Sequence, residues 1–149
     1  MNLEDLTLSV EQEIGVKGQI ENVFKSVLRQ LSDGFTRPTG ESMDMKLEEW
    51  AGGRWYRDVG DGVQYLWGHV QVIKAPALLE LSGPMFMSYP ALNHLEIKLS
   101  EADGETTVTL RHRAVGMIDP QHRDGVATGW NGFLAAVKGD FANTSESAA

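Results

Sequence analysis

From Glu41 onward the apolar residues recur at every second position for about 70 residues, interrupted by Gly, Pro and Asp clusters at the intervals of short antiparallel strands. Met43, Met45 and Leu47 mark one strand, and Ala51-Gly52-Gly53 turns it. Arg54 to Val59 forms the next, Gly60-Asp61-Gly62 makes a hairpin loop, and Val63 to Ile73 is a long strand. Ala75-Pro76-Ala77 turns into a short strand, Leu78 to Ser82. The two prolines of Gly83 to Pro90 predict an irregular connection. Leu92 to Ser100 and Thr106 to Val115 then pair across Glu101-Ala102-Asp103-Gly104. Strands joined by such short turns must be antiparallel, and a sheet of this size needs its apolar face covered.

The cover is legible at the C-terminal end. Between Asp124 and Phe141 the period changes: Val126, Trp130, Phe133, Leu134, Val137 and Phe141 fall three and four apart, on one face of a helix. Asp124 is the expected N-cap, and Lys138 lies where the helix dipole favours a cation. Gly129 and Gly132 weaken the helix but let another backbone or a ligand approach beside Trp130. Burying six such side chains is worth on the order of 10 kcal/mol gross, which requires a large apolar partner surface.

Ahead of the sheet run, Leu6 to Ile14 alternates as a first strand, and Ile20, Val23, Phe24, Val27, Leu28 and Leu31 share a face of a first helix that ends near Ser32-Asp33-Gly34. Phe35 to Gly40 reads as a turn or a second brief helix. The expected fold class is α+β: a curved antiparallel sheet of six or seven strands wrapped around a long C-terminal helix, with one or two short helices after the first strand. Sheet twist around one helix leaves a space between them.

Length and charge narrow the function. A chain of 149 residues fits one domain, expected to occupy residues 1–142, followed by a small polar flexible tail, 143–149, which contains the glycosylation-like triplet Asn143-Thr144-Ser145. A formal net charge of -8 disfavours nucleic acid as a partner. The absence of cysteine and of a secretion-signal pattern at the N-terminus points to the cytoplasm, and no apolar run approaches membrane-spanning length. The four histidines, His69, His94, His112 and His122, have no short metal-ligand spacing. Nothing signals a catalytic set, a metal or a cofactor. Gly60-Asp61-Gly62 turns a hairpin and precedes no helix, so it is no phosphate loop.

Several residues have two readings. If the Gly60 to Gly62 loop holds three residues, Trp55 lies opposite Trp67 and Arg57 opposite Tyr65, with His69 further along the same face; a four-residue loop shifts every pair by one. Polarity makes Leu66, Val70 and Val72 the buried set. These aromatic side chains either line a pocket or pack in the core. Met85, Phe86 and Met87, between two prolines, either gate a cavity mouth or plug one end of the core. His112 continues the alternation of Val108 and Leu110, so it points inward, either as a hydrogen-bonded core residue or as a ligand contact.

Certain local words, in order, resemble the START-like helix-grip superfamily (SRPBCC), and within it the branch named after the heat-shock-protein-90 ATPase activator. They are Gly52-Gly53-Arg54-Trp55, Gly68-His69-Val70 with Ala75-Pro76 and Leu78-Leu79, Asp103-Gly104-Glu105-Thr106-Thr107-Val108-Thr109-Leu110, and Gly129-Trp130 with Leu134. Lys17-Gly18 stands where the pattern usually has Ala-Pro. The resemblance implies a fold with a cavity and places Trp55 toward it; a bulge in the long strand would reconcile this with the polarity pattern. The leading expectation is a small, mainly apolar ligand held between sheet and helix by Trp55, Tyr65, Trp67, His69, Met85, Met87, His112, Trp130 and Phe133, in a monomer or homodimer. Alternatives are a chaperone-interaction module, which expects a filled interior, and a polyketide cyclase-like enzyme, which expects convergent polar groups in the cavity.

Overall fold

The computed structural model describes residues 2–142. A single 3-10 turn, Leu3–Leu6, leads into β1 (Thr7–Val16), followed by α1 (Ile20–Leu31), β2 (Met45–Leu47), β3 (Arg54–Asp58), β4 (Gln64–Lys74), β5 (Leu78–Gly83), β6 (Ala91–Ala102), β7 (Glu105–Gly116) and α2 (Pro120–Gly139). The strands form one antiparallel sheet in the order β1-β7-β6-β5-β4-β3-β2, so the chain walks from one neighbour to the next after β2 and β1 closes on the last strand. This is the α+β helix-grip architecture expected from the two periods of the sequence. No helix is long and apolar enough to cross a membrane among the described residues. The tail 143–149, with its Asn143-Thr144-Ser145 triplet, lies outside them.

The inner face of the sheet and both helices enclose one core. Leu79, Leu81, Leu95, Ile97, Val108 and Leu110 are fully buried on the strands and meet Val23, Val27 and Leu31 of α1 and Leu134 and Val137 of α2. Hydrogen bonds anchor both helices at several points. Trp55 Nε1 donates to the Leu31 carbonyl at 2.8 Å, fixing the end of α1 on β3. The Gln12 amide donates from β1 to the Ala127 carbonyl at 2.8 Å. At the far end of α2, Asp140 accepts from Ser26, Arg29 and Gln30 of α1 at 2.6, 2.5 and 3.0 Å. Burial alone would raise the Asp140 pKa, but these three hydrogen bonds and the Arg29 charge outweigh it and hold the group below its ordinary value.

Three local expectations are corrected, and one open alternative is decided. Phe35 to Gly40 forms no second helix; it is a turn closed by an isolated bridge between Thr36 and Ser42, because Pro38 and Gly40 (φ +92°) break helical geometry. Helix α2 starts at Pro120 rather than after Asp124, since Asp119 is the N-cap: its carboxylate accepts from the Gln121 N–H at 2.9 Å, and Pro at the first helical position has no N–H to satisfy. Arg57 does pair with Tyr65, but Trp55 faces Gly68 and not Trp67. The cause is a bulge in the β3/β4 ladder, which also puts Leu66 outside, 46 % exposed and opposite Tyr56, while Val70 is buried. A second shift lies between Val70 and Val72 in the ladder with β5.

The β4 bulge brings β4 and β5 into a contact that only glycine tolerates. A Cβ on Gly68 would lie 2.5 Å from the Ser82 carbonyl oxygen, and one on Gly83 would lie 2.4 Å from the Gly68 Cα. Bulge and glycine pair let Trp55 and Trp67 both turn inward, where their rings meet edge-to-face at 5.1 Å.

Candidate functional site: a cavity under the C-terminal helix

Between α2, the Gly34 to Met43 segment and the inner face of β4 lies a partly enclosed cavity of about 970 Å³. Its floor and walls are aromatic: Phe35, Trp67, Phe86, Trp130 and Phe133. These rings are linked edge-to-face. Phe35 contacts Trp67 at 5.5 Å, Trp67 contacts Phe86 at 5.7 Å, and Trp130 contacts Phe133 at 5.7 Å. The remaining wall is a stripe of small residues on α2. Gly125, Gly129, Gly132 and Ala136 recur at four, three and four residues, on a helical face beside the packed one. A Cβ added at any of these three glycines would meet nothing within 4 Å. The helix thus withholds side chains where the cavity lies.

Polar groups are few. Gln30, Thr36, Arg37, Gln121, His122 and Thr128 contribute to the lining. His122 is oriented from behind, its Nδ1 2.8 Å from the Tyr89 hydroxyl and its ring tilted against Tyr89 at 5.4 Å. No group of three metal-ligating side chains occurs among the described residues.

Beneath the aromatic wall lies a closed polar network. Trp130 Nε1 can only donate, so the 2.9 Å contact makes His112 Nδ1 an acceptor and leaves the proton on Nε2, which donates to Asn93 Oδ1 at 2.6 Å. The Asn93 amide passes its two hydrogens to the Pro84 carbonyl at 3.1 Å and to Met87 Sδ at 3.4 Å. Every member is satisfied, and burial of His112 lowers its pKa to about 4, so the ring is neutral at pH 7. The network ties β6, β7 and α2 to the connection carrying Phe86.

The sequence-derived candidates divide accordingly. Trp67, Trp130 and Phe133 line the cavity. Trp55 packs behind Trp67, and His112 lies behind Trp130 and Phe86. Met85 and Met87 are buried in the core, leaving Phe86 between them as the loop's contribution to the wall. Tyr65 is 49 % exposed beneath the Arg57 guanidinium, and His69 is exposed opposite Arg54; neither borders the cavity. Phe35, Arg37, Met43 and His122 are lining residues absent from the sequence-derived set, and Phe86 is the member of the Met85-Phe86-Met87 loop that reaches the cavity. The signals for this wall in the sequence are the spacing of Gly125, Gly129, Gly132 and Ala136 and the loop that carries Phe86; the segment from Phe35 to Gly40 has no period that could announce it.

Over residues 18–139 the sequence matches the family described as Activator of Hsp90 ATPase homolog 1-like protein. No curated protein matches it. Among solved structures, CalU16 from Micromonospora echinospora superposes with a TM-score of 0.61 at 19% identity, covering 87% of this chain and 73% of that one. The Aha1 dimer from Colwellia psychrerythraea gives 0.63 at 16% identity, covering 88% and 93%. The di-domain ARO/CYC StfQ from the steffimycin biosynthetic pathway gives 0.66 at 13% identity, covering 97% of this chain and 53% of that one. At such identities these likenesses carry the fold, and the family match carries the kinship. The chain belongs to the Activator of Hsp90 ATPase homolog 1-like family and has the START-like helix-grip fold.

Proposed function

We propose that this protein binds a small, mainly apolar molecule in the cavity between the sheet and α2, without covalent chemistry. The observation that carries the reading is the glycine stripe. A helix that serves only to cover a core gains from filling positions 125, 129 and 132, because glycine in a helix interior costs roughly 0.5–1 kcal/mol relative to Ala. Here those positions are bare and solvent-exposed, and they border the open side of a concavity whose other wall is aromatic. Each 100 Å² of apolar ligand surface taken out of water there is worth about 2.5 kcal/mol before the costs of association.

Trp67, Trp130 and Phe133 contact the ligand in this reading, with Phe35 and Phe86 opposite them. Trp55 and His112 support those rings from behind. A purely chaperone-docking module does not call for an aromatic-walled concavity under its C-terminal helix, and its presence favours the ligand reading. A cyclase expects convergent ionisable groups, whereas Arg37 and His122 are the ionisable lining residues. The test is titration of intrinsic Trp fluorescence with a panel of fatty acids and flavonoids. A saturable response that disappears in Gly129→Phe is expected, because the new ring occupies the cavity; a flat response across the panel would overturn the reading.

A further inference from the structure

The chain carries 21 acidic residues against 13 basic ones, yet none of the twenty residues lining the cavity is Asp or Glu. The ionisable groups on the lining are Arg37 and His122. Arg37 thus puts a permanent cation on a concavity whose lining holds no carboxylate, in a protein of net negative charge. Arg37 is also uncommitted. Its backbone closes the turn, with its N–H donating to the Glu41 carbonyl and its carbonyl accepting from Gly40, while its exposed guanidinium makes no ion pair or hydrogen bond among the described residues. Arg29, Arg54 and Arg111, by contrast, each face a carboxylate.

The inner wall adds shape. Three glycines on α2 open a strip against which a planar group can lie, and the edge-to-face rings opposite present both faces and edges to it. A planar, singly charged carboxylate matches the two-pronged guanidinium, which donates two parallel hydrogen bonds to it.

Taking the cavity as a binding site, we infer that its ligand is a flat aromatic carboxylate, with the ring system against the glycine stripe and the carboxylate held by Arg37 at the mouth. His122, held by Tyr89, supplies a second polar contact on the same lining. The ligand's charge is then read at the rim and its shape inside.

The test compares 2-naphthoic acid with neutral 2-naphthamide by isothermal titration calorimetry, using the wild type and Arg37→Gln. Arg37 makes no contact whose loss would unfold the chain, and thermal melting of the variant verifies this. The acid is expected to bind at least tenfold more tightly than the amide in the wild type. In Arg37→Gln that preference falls to less than threefold, with affinity for the amide unchanged. Equal binding of acid and amide by the wild type, or a preference that survives in Arg37→Gln, overturns the carboxylate inference while the cavity remains a binding site. Failure of both compounds to bind the wild type overturns the flat-aromatic inference, and the binding-site reading falls with it only if the fatty-acid and flavonoid panel is also flat.

Discussion

Helix α1 buries seven of its twelve residues, including Val23, Val27 and Leu31 at or near zero exposure, and even its polar Ser26 and Gln30 are committed to Asp140. Helix α2 has twenty residues and buries five. Both lie over the same sheet, but α1 fills every position that faces it, whereas α2 packs along Val126, Trp130, Phe133, Leu134 and Val137 and leaves a bare strip beside them. The difference separates two tasks that one apolar core would otherwise merge. One helix packs along its whole sheet-facing side, and the other leaves a strip uncovered beside the cavity. The bare positions cost roughly 0.5–1 kcal/mol each relative to Ala, while the neighbouring face of the same helix still packs.

The contrast is broken most severely at Trp130, which belongs to both halves of α2. Trp130→Ala removes a buried ring and leaves His112 Nδ1 without its donor, so a loss of about 4–5 kcal/mol is expected in urea unfolding at neutral pH. A loss below 1 kcal/mol would show that α2 is held elsewhere.

Acid attacks the same junction from the sheet side. The unfolded chain protonates His112 near its ordinary pKa of 6.5, the folded protein only near 4, so falling pH favours the unfolded state throughout that window. A stability contribution of about 3 kcal/mol, fully present above pH 6.5, is expected to be lost as the pH falls to 4. In His112→Gln, whose amide offers one donor and one acceptor, the slope of unfolding free energy between those pH values flattens; an unchanged slope would assign the pH dependence to another group.

A smaller effect is expected where the helices meet. Asp140→Asn weakens the bonds from Ser26, Arg29 and Gln30 by removing the acceptor's charge, at about 1–2 kcal/mol, and the resulting protection change in hydrogen exchange falls on α1 and the end of α2. The smallest effect has the opposite sign. Gly129→Ala and Gly132→Ala each raise stability by about 0.5–1 kcal/mol in thermal or urea melts, since neither position has a positive φ or a nearby atom to oppose a methyl group. A matching substitution in a packed stretch of α1, Ser26→Leu, destabilises instead.

The alternation from Met45 to Val115 and the three-four spacing from Val126 to Val137 were enough to order the elements and to name most of the core, because burial on one face of a strand or helix imposes a period that survives in the residue types. The candidate site was only partly legible. Trp130 and Phe133 share a helix face with a clear period and were readable as inward residues, the alternation of the long strand left the face of Trp67 open, and Phe35 and Arg37 belong to a turn whose position depends on contacts far along the chain. Leu66 shows the limit within a strand: its polarity marked it for the core, and one extra residue at the bulge turned it outward.

By itself, then, the sequence determined which segments are strands and which are helices, that the strands run antiparallel, and that a C-terminal helix must cover them, since these are consequences of local period and turn length. Only the tertiary structure decided which rings share one cavity, that His112 is spent in a closed hydrogen-bond network, and that the face of α2 bearing its glycines opens onto empty space. Those are relations between residues tens of positions apart, set by bulges, helix rotation and the course of one turn, and none of them leaves a period in the chain.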